Sequence, residues 1–255
     1  MKSFSVVIPH YNDLRILECI KSIKNQDYPK DKIEILIQDN FSKKKILDKI
    51  NDLLDINDQL CLEKDKGIFD ALDKGYEKAN NDFILSLGAD DKIIDDKFFS
   101  NLNNLFSNNK FDLIFVGVIY TNASGEIMRK WPIRKFNLIG KLLGFQYPHF
   151  GAIAKKEIFQ KFKFFNEELL HNNDYNFFLN LDHKTTKVGY LDSYAINLGF
   201  GGNSSATIIK ILKINFELFL YLFRHKTIFS FGMLLKPFYK IYELLLSKKI
   251  PNLFR

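Results

Sequence analysis

The first hundred residues switch repeatedly between two hydrophobic periods, and that alternation limits the fold more than any other feature. Phe4–Ile8 is a short apolar run closed by Pro9. Asp13–Asn25 carries Leu14, Leu17, Ile20 and Ile23 at helical spacing. Ile33–Ile37 reads as the next strand. Lys43–Asp55 reads as the next helix, with Ile46, Ile50, Leu53 and Leu54 on one side. A strand at Gln59–Glu63, a helix at Ile68–Ala79, a strand at Phe83–Leu87 ending at Gly88 and a helix at Asp95–Ser107 continue the pattern. Nearly continuous apolar strands are those buried on both faces of a parallel sheet. Such strands need right-handed crossovers. The expectation is an α/β chain: a Rossmann-like, open twisted sheet with helices on both faces.

The rhythm changes after residue 110. Leu113–Tyr120 and Ile127–Trp131 flank Asn122-Ala123-Ser124-Gly125, which reads as a hairpin turn. Phe150–Ala154 predicts a strand, Asp174–Leu181 a helix, and Val188–Gly199 two short strands. From Thr207 two apolar helices follow, broken near Arg224–Thr227. The division expected is residues 1–206 as one domain, with a nucleotide-binding half (1–110) and an acceptor-binding half (111–206), and residues 207–255 as a basic, amphipathic helical extension.

Charge sharpens that division. Thr207–Arg255 holds nine Lys/Arg and two Glu, so it carries the whole net charge of +7; the other 206 residues balance at 28 basic and 28 acidic. A neutral body argues against a nucleic-acid partner. The two cysteines, Cys19 and Cys61, sit in apolar stretches without metal-ligand spacing and read as buried thiols of a reducing compartment. The start lacks a signal-peptide pattern, and no run reaches the roughly 18 uncharged residues a spanning helix needs. A cytoplasmic protein is expected.

In an open α/β sheet the ligand lies beyond the carboxyl ends of the strands. Pro9–Asn12, Asp39, the Glu63–Gly67 turn and the pair Asp90/Asp91 all fall at such ends. Adjacent carboxylates repel unless a cation lies between them. A hard divalent ion needs few protein carboxylates, because water and phosphate oxygens fill its other positions. The alternative for Asp90/Asp91 is helix capping ahead of Asp95 and Asp96.

Several segments match one known family in order. Ser5-Val6-Val7-Ile8-Pro9-His10-Tyr11-Asn12 resembles S-V-V-I-P-x-Y-N of glycosyltransferase family 2. Ser22-Ile23-Lys24-Asn25-Gln26 is similar to its S-I-x-x-Q. Asp39-Asn40-Phe41-Ser42 stands at its D-G-G-S or D-D-G-S. Glu63-Lys64-Asp65-Lys66-Gly67-Ile68-Phe69-Asp70-Ala71-Leu72-Asp73-Lys74-Gly75 resembles E-P-D-x-G-I-Y-D-A-M-N-K-G of the branch that builds bacterial surface polysaccharides. Leu87-Gly88-Ala89-Asp90-Asp91 resembles L-N-A-D-D, and Asn173-Asp174-Tyr175-Asn176-Phe177-Phe178-Leu179 resembles E-D-Y-D-x-W-L. Gly88, Asn173 and Asn176 depart from that pattern.

The resemblance implies a GT-A fold and an inverting transfer from a nucleotide-diphosphate sugar, UDP-sugar first. It implies that Pro9, Tyr11 and Asn12 shape the base pocket and that Asp39 bonds the nucleobase. Asp65 and Lys74 would lie near the nucleotide, Asp90 near the ribose, and Asp91 on Mn²⁺ or Mg²⁺. Asp174 would be the general base, or else only a helix N-cap. His149, in Pro148-His149-Phe150-Gly151, is a candidate for acceptor or phosphate, with a structural role equally open. Gly202 and Ser204, in Gly201-Gly202-Asn203-Ser204, are phosphate candidates, or an ordinary turn.

The basic tail suits contact with anionic lipid, or packing on the sheet with its charges solvated. Lipid contact would place the protein on the cytoplasmic face of the inner membrane. It would also suit a lipid-linked glycan acceptor, as the polysaccharide branch commonly uses. Rival classes are weaker. No glycine-rich entry loop of a nucleotidyltransferase and no G-x-G-x-x-G of a nicotinamide enzyme follows Phe4–Ile8. A binding or scaffold protein that lost the chemistry is the remaining alternative.

Overall fold

The computed structural model describes residues 1–122, 124–142, 147–199 and 208–225. The elements in chain order are β1 (Phe4–His10), α1 (Ile16–Lys24), β2 (Ile33–Asp39), α2 (Lys44–Asn51), β3 (Gln59–Leu62), α3 (Ile68–Lys78), β4 (Phe83–Ser86), β5 (Lys92–Ile93) and α4 (Phe98–Asn108). The second part contributes β6 (Leu113–Thr121), β7 (Ile127–Trp131), α5 (Leu138–Leu142), β8 (Ala152–Lys155), α6 (Lys156–Lys161), α7 (Asn173–Asn180), β9 (Val188–Gly199) and α8 (Ile208–Arg224). Gly202, Ser204 and the second tail helix lie outside the described residues.

The strands form one sheet in the order β3-β2-β1-β4-β8-β6-β9-β5, with β7 paired to β6. β3, β2, β1 and β4 are mutually parallel, as their apolar runs predict. β8 then enters antiparallel between β4 and β6. Both faces are covered. Phe4, Val6 and Ile8 of β1 pack with Ile16 and Ile20 of α1 and Phe99 and Leu102 of α4. Val7 points the other way, into a cluster with Leu72 and Tyr76 of α3, Phe159 of α6 and Phe177 of α7. This α/β sandwich is the expected Rossmann-like architecture. No helix among the described residues is long and apolar enough to cross a membrane.

Where the elements differ from expectation, local chemistry explains it. Residues 13–15 do not start the first helix, because Asp13 Oδ1 accepts the Arg15 N–H at 2.9 Å and forms a turn. Asp95 delays α4 in the same way, accepting the Lys97 N–H at 3.0 Å. Residues 149–151 form a 3-10 turn, and the strand expected from Phe150 begins at Ala152. Val188–Gly199 is one strand rather than two. The polar pair Asp192-Ser193 is a bulge within it: Val116 faces Leu191, and the next residue, Gly117, faces Tyr194. Gly117 is required there, since a Cβ would sit 2.9 Å from the Ser193 carbonyl oxygen. Cys61 is half-buried rather than buried, and both cysteines are free.

α3 lies against β1 and β2 through Gly75, where a Cβ would meet Val7 Cγ1 at 2.4 Å. Val7 is stiff and fully buried, so it has nowhere to retreat. Gly75→Val is therefore expected to destabilise the fold by about 3 kcal/mol, measured by denaturant unfolding.

Candidate active site

The parallel strands β1, β2 and β4 end at one rim, and their following loops are bonded to each other. Asn40 N–H donates to the His10 carbonyl (3.1 Å), Asn12 N–H to Ser42 Oγ (2.7 Å) and Lys43 N–H to Asn12 Oδ1 (2.9 Å). Asn12 and Phe41 both hold left-handed backbone, with φ of 51° and 56°. Asn tolerates that region; for Phe it is strained. Strained backbone of this kind concentrates at ligand clamps. Phe41 stands where the motif of the family has glycine, and its ring is exposed, as is that of Tyr11.

Asp39 is fully buried at the end of β2. Its Oδ2 lies 2.6 Å from His10 Nδ1 and accepts from Ser42 Oγ at 2.6 Å, while Oδ1 accepts the Ser42 N–H at 2.7 Å. Burial alone would raise this carboxyl. The hydrogen bonds from His10 and Ser42 outweigh it and hold Asp39 below the ordinary carboxylate value. The side chain therefore braces the two loops from within. Pro9, the β1 residue before His10, belongs to the same buried rim.

The Glu63–Gly67 turn lies next to β2. Asp65 Oδ1 accepts the Gly67 N–H at 2.9 Å and lies 3.4 Å from Asn40 Nδ2; burial pushes its carboxyl up. Gly67, with φ 125°, supplies a backbone shape that a side chain would oppose just before α3. Lys74 is taken by Glu63 and Asp70, each at 3.2 Å.

Asp90 and Asp91 follow β4 in a tight turn. Neither caps α4, whose N-cap is Lys97. Asp90 is half-buried and meets Arg15 at 3.0 Å; the same guanidinium grips Asp13. Asp91 is buried, with Oδ2 accepting the Gly88 N–H at 2.6 Å and Oδ1 the Gly199 N–H at 3.2 Å. Burial pushes its carboxyl up to about 7, with the charge of Asp90 adding to the shift. Gly199 closes the turn from the end of β9, where a Cβ would lie 2.2 Å from Asp90 Oδ2 and 3.0 Å from Asp90 Cβ.

These donors suit a divalent cation of the Mn²⁺ or Mg²⁺ kind. One buried carboxylate, raised chiefly by its burial, sits beside a second, half-exposed one. No cluster of three or more His, Cys, Asp or Glu occurs among the described residues. An ion here would therefore depend on water and ligand oxygens for most of its shell.

Asp174 lies in the first turn of α7, two residues beyond the capping position. The N-cap is Asn172, and Asp174 Oδ1 accepts the N–H of Tyr175 at 2.8 Å. Tyr120, near the end of β6, lies within the fields of both Asp174 and Asp91. Burial raises its hydroxyl to about 12, Arg129 opposes, and the charges of Asp91 and Asp174 both add. His149 also feels Asp174. Burial pulls its imidazole down to about 4, and its Nε2 is buried without a hydrogen-bond partner among the described residues.

The segment before α7 is held by α8. Glu217 Oε1 accepts the N–H groups of Leu170 (2.7 Å) and His171 (3.0 Å), and its Oε2 lies 3.1 Å from His171 Nδ1. Asn172 Nδ2 donates to the Ile214 carbonyl at 2.8 Å, and Tyr175 packs on Leu218 and Leu222. The first tail helix thus packs on the body. Sequence reasoning missed Arg15, Tyr120, Gly199 and Glu217, since none sits in a short motif and each works through a partner far along the chain.

With this geometry in place, comparison with known proteins gives the class. The family model "Glycosyl transferase family 2" matches residues 5–171, and the chain belongs to that family. It is 27% identical over 184 residues to an uncharacterized glycosyltransferase of Haemophilus influenzae, covering 70% of this chain and 71% of that one. It is 37% identical over 95 residues to the Methanococcus voltae dolichyl N-acetyl-alpha-D-glucosaminyl phosphate 3-beta-D-2,3-diacetamido-2,3-dideoxy-beta-D-glucuronosyltransferase, spanning 35% of this chain and only 29% of that enzyme. Among solved structures, S. aureus TarS 1–349 in complex with UDP-GlcNAc matches with a TM-score of 0.64 at 21% identity, over 85% of this chain and 66% of that one. The Pyrobaculum calidifontis mannosyltransferase PcManGT in complex with GDP-Man and Mn²⁺ also matches with a TM-score of 0.64, at 13% identity, over 92% and 67%. At such identities these two carry the fold, which is GT-A.

Two outcomes are expected. Between pH 5 and 8 without divalent metal, the native protein should lose thermal stability relative to Asp91→Asn, because its folded form holds a proton that the unfolded chain has released. Mn²⁺ should restore it at pH 8 by roughly 2–6 °C and leave the variant unmoved. Glu217→Ala should cost about 1–3 kcal/mol and speed amide exchange at Leu170 and His171, which lose their acceptor.

Proposed function

We propose that the chain is an inverting, metal-dependent glycosyltransferase that moves a sugar from a nucleotide-diphosphate donor, UDP-sugar first, to a hydroxyl of a lipid-linked glycan in surface-polysaccharide synthesis. The observation that carries this reading is the Asp90/Asp91 pair beyond β4, with Asp91 buried and clasped by the Gly88 and Gly199 amides at the rim where β1 and β2 also end. Family membership and the nucleotide sugars named with the fold neighbours support it. The lipid-phosphate sugar in the name of the M. voltae relative supports the acceptor class.

Each residue then has a task. Pro9, Tyr11 and Asn12 shape the base pocket, with Asp39 fixing its wall and its polar edge. Asp65 and Lys74 lie along the nucleotide, and Asp90 takes the ribose. Asp91 would hold the cation, which when bound neutralises charge on the departing diphosphate. Asp174 accepts the acceptor proton as its oxygen attacks the anomeric carbon from the face opposite the diphosphate. The bond to the diphosphate breaks, and that group leaves with the electron pair. His149, beside Asp174, serves the acceptor or its phosphate; Gly202 and Ser204 would serve phosphate.

Membrane contact belongs to the same reading. α8 turns Ile209, Leu212, Phe216 and Phe223 outward on one stripe, with Phe216 61% and Phe223 69% exposed. That face, with the basic tail beyond it, suits an anionic lipid surface, where a lipid-linked acceptor would be met.

Calorimetry over UDP-, GDP- and dTDP-sugars with and without Mn²⁺ tests the donor: metal-dependent binding of one class is expected, and metal-independent turnover would remove Asp91 from its role. Asp174→Asn should keep donor affinity and lose turnover by about 10²–10⁴-fold. Undiminished turnover would remove Asp174 as the base; donor binding without any transfer by the native protein would leave a binding or scaffold role. The tail is tested by flotation with anionic liposomes at low salt, where native protein is expected to float.

A further inference from the structure

The β6–β7 hairpin presents a feature that the donor site does not use. Tyr120 and Arg129 are paired in register, and Trp131 stacks on Tyr120 with ring centres 6.4 Å apart and planes 21° apart. The Arg129 guanidinium lies 5.4 Å from the Trp131 ring centre and 6.0 Å from that of Tyr120. Arg129 is exposed and Trp131 half-buried. Among the described residues no carboxylate pairs with Arg129. Glu126, the nearest acid in sequence, is bonded to Asn122 at 3.0 Å. On the neighbouring residue, Lys130 lies 5.5 Å from the Tyr194 ring centre and likewise lacks an acidic partner among the described residues.

Strand register fixes how far this shelf is from the chemistry. Thr121, the residue after Tyr120, pairs with Gly199. Gly199 in turn donates to Asp91 and presses on Asp90. The shelf therefore begins at Tyr120 on β6, the strand next to the one that carries Gly199 and about 4.8 Å from it in the sheet direction, with Arg129 and Trp131 one strand further out on β7. It flanks Tyr120, the residue that feels both Asp91 and Asp174.

We propose that Tyr120, Trp131 and Arg129 form an acceptor subsite, in which a sugar ring lies on the aromatic pair and Arg129 holds a phosphate or diphosphate borne by that sugar. The proposal rests on the glycosyl-transfer reading above and adds the chemistry of the acceptor. A pyranose has an apolar face of C–H groups that an aromatic surface desolvates well. A guanidinium binds phosphate through two parallel hydrogen bonds, which makes Arg the fitting cation here. An exposed Arg over a ring is common by itself. Here it is combined with two stacked rings, no acidic partner among the described residues, and a fixed place beside the catalytic rim. The donor diphosphate belongs at Asp91, so this cation serves a second anion.

Trp131 is the single tryptophan of the chain, so intrinsic fluorescence reads the shelf directly. The probes are a panel of hexose and N-acetylhexosamine 1-phosphates, the same sugars as short-alkyl diphosphates, their methyl glycosides, and inorganic phosphate. The native protein is titrated with each after saturation with its donor nucleotide and Mn²⁺. At least one phosphorylated sugar should change Trp131 emission saturably and bind at least about tenfold tighter than its methyl glycoside. Arg129→Ala should abolish that preference, and Arg129→Lys should restore only part of it. Donor affinity, measured by calorimetry, should hold in both variants. A free sugar phosphate matching the alkyl diphosphate would mean that ring and anion suffice; a tighter alkyl form would add the carrier. Silence of Trp131 to the whole panel, equal binding of charged and uncharged sugars, or loss of donor rather than acceptor binding in Arg129→Ala would overturn the subsite. Failure of the native protein to bind any donor would instead strike the glycosyl-transfer reading.

Discussion

Burying the Asp91 carboxylate costs several kcal/mol, and the protein offsets that cost with main-chain donors from two distant parts of the sheet. Gly88 comes from the turn after β4, and Gly199 from the end of β9. Neither position leaves room for a larger residue without moving Asp90 or Asp91. The rim is therefore assembled around one poorly solvated acid, whose charge is left for something outside the chain to balance. Arg15, whose charge reaches Asp91, is committed to Asp13 and Asp90.

The β1–β2 end of the rim is built on the opposite principle. Asp39 is as deeply buried as Asp91, yet its oxygens are saturated by His10 and Ser42, and its carboxyl is held low. One acid stiffens two loops; the other is left needy. The two acids differ in their hydrogen-bond partners rather than in exposure, since both side chains are hidden from solvent.

Much of this was legible in the chain. The four parallel strands and their helices follow from apolar runs and 3.6-residue spacing, because each element buries its own pattern against near neighbours. The acids at the strand ends were legible for the same reason. What escaped was long-range. β5 has two residues and exists only because β9 lies beside it. The Asp192-Ser193 bulge looked like a strand end because its polar pair interrupts the pattern without ending the pairing. The capping alternative for Asp174 fails because the cap position is Asn172, whose side chain is turned to α8. Gly202 and Ser204, picked out by the resemblance of Gly201-Gly202-Asn203-Ser204 to the family's G-G-x-S, lie outside the described residues.

The insertion of β8 between β4 and β6 has a bearing on how the protein is made. A ribosome delivers the parallel half first, and that half ends at β4 with an open edge. β8 covers this edge some seventy residues of chain later by running antiparallel to β4, and β9 arrives later still. Until Gly199 emerges, the turn bearing Asp90 and Asp91 lacks one of its two clasps. The nascent chain thus carries the parallel frame of its sheet well before the second clasp on Asp91 exists.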